Sequence, residues 1–194
     1  MLTPALDRLA AAGTVFTDAY CPMPLCTPSR LCTLTGLEVR RCGAWTNCSV
    51  LRPGLLTLPE HLAAHGYETA LVGKMHLGGN RQFAGFQHRP YGDLTGRCGH
   101  QWEPLGCSER ETMRLRTSGA GVTGIPESLL QDSVVAQESV AFLREQRHRN
   151  PGRPWFLCAS FSRPHFPLTA PRRWFEHYWP DRVTAPRVPA AGDA

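Results

Sequence analysis

Cys26-Thr27-Pro28-Ser29-Arg30-Leu31-Cys32-Thr33-Leu34-Thr35-Gly36 is the stretch on which the reading of this chain turns. Pro28 suits the first turn of a helix, where its missing N–H costs nothing. Cys26 then stands at the helix start, close to amide donors that favour anions. Arg30 lies about one helical turn further along, so a fixed positive charge faces the same place as a nucleophile-type side chain. Gly36 is expected to end the helix. The pattern is one for handling an oxyanion.

Working outward, residues 3–13 read as a short helix with a threonine cap, a first-turn proline and a terminating glycine, followed by a strand over 14–19. The prolines between Cys21 and Cys26 mark a loop that delivers the chain to the helix. Residues 37–56 show little periodicity. Thr57-Leu58-Pro59-Glu60 opens a second helix with a good cap, closing at Gly66. Residues 67–72 read as a strand, and Gly73-Lys74-Met75-His76 follows immediately, at the strand end where α/β sheets bind ligands. Positions 79–125 read as a long excursion over that edge. A helix is expected over 127–147 with Leu129, Ala136, Val140 and Leu143 on one apolar stripe. Residues 155–161 form an apolar run suited to a buried parallel strand, and His165 lies just past it. Trp155, Phe156, Phe161 and Trp174 read as core, and a short helix is expected over 172–178. The order of elements predicts an α/β fold, a mostly parallel sheet sandwiched by helices, with the three chemical stretches on one edge.

Composition narrows the function classes. With 194 residues and 42% apolar content the chain can bury a core. Its net charge of +5 comes from 21 basic residues, of which only Lys74 is lysine. The arginines lack the aromatic interleaving of a nucleic-acid binder, and no apolar run approaches the roughly 18 residues of a membrane span. Neither nucleic acid nor membrane is therefore expected as a partner. The 8 cysteines would suit a disulfide framework in a secreted protein, but nothing in the sequence shows secretion and bridges stay open for every cysteine except Cys26; the lack of a Cys-x-x-Cys pair speaks against a zinc finger or thioredoxin-like site. Gly119-Ala120-Gly121-Val122-Thr123-Gly124 matches a dinucleotide fingerprint in letters but follows no apolar strand and precedes Ile125-Pro126, which leaves it a loop. Gly73-Lys74 is not a P-loop, because Met75 follows the lysine. His61 and His65 lack the glutamate placement of a zinc protease and read as surface residues.

Three ordered motifs carry a family resemblance. Cys26 to Gly36, with Cys-x-Pro-Ser-Arg followed by Thr-Gly, resembles the signature of the sulfatase family, within the alkaline phosphatase superfamily. The stretches from Gly66-Tyr67 through Gly73-Lys74-Met75-His76 and from Phe161-Ser162-Arg163-Pro164-His165-Phe166-Pro167 resemble two further signatures. Residues 3–20 and 181–189 are similar to the corresponding parts of bacterial choline-sulfatase-like and iduronate-sulfatase-like members. The resemblance implies an alkaline-phosphatase-like fold, incomplete here, with residues 1–194 forming part of an N-terminal catalytic domain. It also implies that Cys26 is oxidised after synthesis to formylglycine by a maturation enzyme, the hydrated aldehyde then attacking the sulfur of a sulfate ester. Arg30 would stabilise the hydrate. Lys74 would supply a compact charge to the sulfate, a role for which guanidinium and ammonium differ. His76 would hold or deprotonate a formylglycine hydroxyl, and His165 would bind sulfate or protonate the leaving alcohol.

The family also uses a divalent cation, usually calcium, held by hard oxygen ligands together with the formylglycine at position 26. No Asp-Asp pair occurs in this sequence, and the later acidic motif is not found. The expectation is a fragment or truncated product lacking the first strand and the C-terminal part, with a sheet edge left open and little or no turnover by itself. The expected substrate is a small sulfate ester or a sulfated sugar. A phosphonate monoester or phosphodiester hydrolase of the same superfamily, and a non-catalytic protein that retains the fold, are the alternatives. Cytoplasmic and exported relatives both exist, and either compartment is open to this chain.

Overall fold

The computed structural model describes residues 2–92 and 117–184. Its centre is β1 (Glu68–Gly73), five of whose six residues are buried. Parallel β2 (His88–Tyr91) and β4 (Trp155–Ser160) flank it, giving the order β2-β1-β4. Between β1 and β4 the register is continuous, from Glu68 opposite Trp155 to Gly73 opposite Ser160. Side chains alternate across a strand, so β1 offers Leu71 to one face and Ala70 and Val72 to the other. On the Leu71 side lie α2 (Cys26–Thr35), α3 (Val39–Cys42) and α4 (Leu58–Ala64). Leu31, Leu34, Cys42, Met75 and Phe86 join Leu71 there in one core cluster, with Phe156 and Cys158 of β4 packed against it. The other face is covered by α5 (Gln131–Arg149), whose Phe142 meets Trp155 edge to face. The sheet is thus sandwiched by helices, as the order of elements predicts.

Local chemistry explains most boundaries. Thr57 caps α4 through a capping box, its side chain accepting from the Glu60 amide while the Glu60 carboxylate accepts from the Thr57 amide. Gly36 ends α2 at φ 66°, in the left-handed region. α1 (Pro4–Ala12) follows Thr3, whose hydroxyl donates to Asp7 at 2.8 Å. α6 (Arg172–Tyr178) occupies the positions expected from the sequence. A two-stranded parallel pair, β3 (Gly121–Val122) with β5 (Thr169–Ala170), takes up the glycine-rich fingerprint letters, and no helix follows them directly. His61 and His65 are exposed, as expected.

Four expectations are corrected. Residues 14–19 form no strand: Val15 and Phe16 are 62% and 81% exposed, and none of the described strands pairs with them. The helix expected to start at 127 begins instead as a 3-10 turn (Glu127–Leu129) and becomes α-helical only at Gln131. Its buried stripe is Val135, Ser139, Phe142 and Gln146, whereas Leu129, Val140 and Leu143 are exposed. The period was right and the phase was not, because two polar residues occupy the inner face. Finally, Trp155, Phe161 and Trp174 are about half exposed rather than core. In the stretches read as irregular, the structure adds α3 and β2; residues 93–116 of the long excursion lie outside the described residues, as do Cys98 and Cys107.

Gly73 is the tightest point of the frame. It sits at φ +96°, and a Cβ there would lie 2.2 Å from the Ser160 carbonyl oxygen and 2.7 Å from Val135 Cγ2. Only glycine lets β1, β4 and α5 meet this closely. Gly73→Ala is expected to destabilise the chain by about 2 kcal/mol or more, read as a lower urea midpoint.

Candidate active site

Three segments converge at the carboxyl ends of β1 and β4. Cys26 is the first residue of α2, preceded by Leu25 in extended conformation. The helix start offers fewer open donors than its sequence suggests. The Leu25 amide donates to the Met23 carbonyl at 2.8 Å, the Thr27 amide donates to Asn47 Oδ1 at 3.1 Å, and Pro28 has no N–H. Positive charge at the site therefore rests chiefly on side chains.

Arg30 is the link between layers. Its Nη1 donates to the Lys74 carbonyl at 2.8 Å and to Ser160 Oγ at 3.1 Å. The guanidinium of α2 is thereby fixed against the residues that end β1 and β4. Thr27 makes a second tie, its hydroxyl donating to the His76 carbonyl at 2.8 Å, with the Asn47 carbonyl 3.2 Å away. That bond holds His76 at φ 52°, a left-handed conformation that is costly for a non-glycine residue and often marks functional positions. Lys74 and His76 are both buried, His76 completely.

Electrostatics fixes the protonation of His76. Burial, then the charges of Lys74, Arg30 and His165, push its pKa down to about 4. At neutral pH it is an uncharged imidazole able to accept a proton. Lys74, Arg30 and His165 thus all lie within electrostatic reach of His76. Cys158, half-buried beside this group, has its thiol pushed up by burial, an effect opposed by Arg30.

His165 arrives on the loop after β4. Asp132, in the first turn of α5, grips that loop: Oδ1 accepts from the Ser162 amide at 2.6 Å and Oδ2 from the Arg163 amide at 3.0 Å. His165 Nδ1 lies 2.9 Å from the Phe166 carbonyl. Asp132 is a positioning residue that the sequence reading missed; an acid in a helix's first turn is common enough to pass as a dipole effect, and only the facing loop shows its second task.

Four of the five expected site residues fall into two cavities, and His76, fully buried, lines neither. Lys74 and His165 line one of about 690 Å³, together with Asp132, Arg163, Trp174 and Phe175. Cys26 and Arg30 line another of about 520 Å³, with Cys21, Ser29, Met75 and Phe156. Arg30, through the Lys74 carbonyl, joins the two. Trp174, read from sequence as core, is instead a wall of the larger cavity. Among the described residues no group of three or more His, Cys, Asp or Glu side chains is placed to hold a metal ion. The described residues therefore do not fit a complete cation site. No helix among them is long and apolar enough to cross a membrane.

The profile of the family described as Sulfatase matches residues 1–183. A sulfatase of Formosa agariphila is 31% identical over 95% of this chain and 38% of its own length. Arylsulfatase A of Bos taurus is 38% identical over 85% of this chain and 37% of its own. The chain thus spans less than two fifths of the length of these curated relatives. A solved structure in complex with its substrate D-glucosamine-2-N,6-O-disulfate superposes with a TM-score of 0.70 at 25% identity, covering 95% of this chain and 34% of that one.

The depressed His76 pKa has a consequence for stability. Between about 6.5 and about 4 the unfolded chain binds a proton at this imidazole that the folded chain does not, so folding stability falls as pH drops through that window. The full loss is on the order of 3 kcal/mol. Thermal unfolding of the chain and of His76→Gln from pH 7 to pH 4 is expected to show a shallower decline in the variant.

Proposed function

The chain belongs to the sulfatase family, and on that footing we propose that it is the part of a sulfuric ester hydrolase that carries the nucleophile, the sulfate-facing cations and a proton donor. The observation that carries this reading is Arg30 bridging the helix of Cys26 to the strand end of Lys74 and His76. Cys26, partly exposed at a helix start and lining a cavity, is suited to being the residue converted to formylglycine by a maturation enzyme. As formylglycine it supplies a hydrated aldehyde, with one hydroxyl to attack sulfur and another to release sulfate.

The chain's own residues have distinct tasks in this proposal. Arg30, held by two acceptors, presents its charge beside position 26 without having to reorganise. Lys74 contributes a compact ammonium to the sulfate oxygens. His76, neutral at working pH, accepts or holds the proton of a hydroxyl at position 26. His165 faces the larger cavity with Lys74, where it binds a sulfate oxygen or protonates the departing alcohol. Asp132 holds the His165 loop in register. Leu129, Trp174 and Phe175 offer the ester's carbon skeleton, of a small molecule or a sugar, an apolar wall. A divalent cation such as calcium is the expected cofactor of the complete enzyme; since the described residues do not fit its site, no step here is routed through it. Phosphonate monoester or phosphodiester hydrolysis is the second reading, because the same cations suit any tetrahedral anion.

Mass analysis of position 26 tests the proposal. After co-expression with a formylglycine-generating enzyme, a substantial share of the Cys26 peptide is expected at the aldehyde mass, and none in Cys26→Ala. A peptide that stays wholly thiol contradicts the reading.

A further inference from the structure

Behind the site, a second pair of sulfur atoms stands close. Cys32 lies on the inner side of α2 and Cys42 ends α3, and they are only 6% and 1% exposed. Their Sγ atoms are 3.7 Å apart. Gly36 at φ 66° ends α2 before the turn into α3, and Gly43 at φ 71° ends α3. Arg52 Nε, donating to the Cys42 carbonyl at 3.1 Å, fastens the end of α3. Burial and the hydrogen bond with Cys42 push the Cys32 thiol up to about 11, so Cys32 rests as a thiol. A disulfide needs the sulfurs about 1.7 Å closer, at roughly 2.0 Å, a shift within reach of side-chain rotation when α3, a helix of only 4 residues, loosens. The six described cysteines are all free, and the others differ in setting: Cys21 and Cys48 are exposed, and Cys26 and Cys158 half-buried.

We propose that Cys32 and Cys42 are a latent disulfide site, closed by exchange with a low-molecular-weight disulfide such as oxidised glutathione, which clamps α3 to the far half of the helix that carries Cys26 and Arg30. One protein thiolate attacks a glutathione sulfur, forming a mixed disulfide and expelling one glutathione thiolate. The second cysteine attacks the mixed disulfide at the protein sulfur and expels the other glutathione. Two protein thiols are oxidised, one glutathione disulfide is reduced, and the two thiol protons pass to the departing thiolates.

The test uses the full 194-residue chain. It is incubated with oxidised glutathione at several chain concentrations, unfolded in alkylating agent and peptide-mapped. A Cys32–Cys42 cross-link is expected at a yield independent of chain concentration, reversed by dithiothreitol, retained in Cys48→Ser and lost in Cys42→Ser. The oxidised chain is expected to melt about 5 °C or more above the reduced one. Alkylated Cys32 and Cys42 beside glutathionylated Cys21 and Cys48 overturn the site. A Cys32–Cys42 bond that leaves the melting point unchanged overturns the clamp.

Discussion

The hydrogen bonds from the Arg30 guanidinium to the Lys74 carbonyl and Ser160 Oγ hold the site together. They join a helix from one layer to the ends of two strands in another, and they do so with a group that keeps its charge at any physiological pH. Everything else at the site leans on that tie. The close approach of β1 and β4 at Gly73 puts Ser160 within Arg30's reach. Thr27, three residues earlier on the same helix, secures His76. The cost of gathering cations is visible in His76, which burial and its neighbours keep neutral. A tetrahedral anion is the kind of ligand whose charge would complement the cations gathered around His76.

Much of this was legible in the sequence because it depends on local rules. Pro28 and Gly36 mark a helix, Thr57 and Glu60 a capping box, and Lys74 and His165 each follow a run that reads as a strand. The three motifs then fall on one sheet edge because parallel strands point their carboxyl ends the same way. What the sequence concealed depends on phase or on distant partners. Ser139 and Gln146 are buried on α5 while Val140 and Leu143 face outward, so hydrophobicity alone selected the wrong stripe. Residues 14–19 have strand-like composition but no described strand to pair with, and a ladder needs two sides. Trp174 lines a cavity that exists only once β5 and the His165 loop are in place. Asp132 acts on backbone amides thirty residues away, a relation that no spacing rule encodes.

The two cysteines of interest divide along the same helix. Cys26, at its partly exposed start, lines a cavity; Cys32, in its buried far half, faces Cys42. Their environments differ in the features that govern thiol behaviour, exposure and nearby charge.

The central claim is that Arg30, Lys74, His76 and His165 form one anion-binding unit. The most direct measurement is an NMR titration of the chain with sulfate, compared with chloride at equal ionic strength. The account predicts saturable shifts of the His76 and His165 ring signals and of the Lys74 amide with sulfate alone. Identical responses to both salts, or sulfate shifts confined to surface arginines, would contradict it.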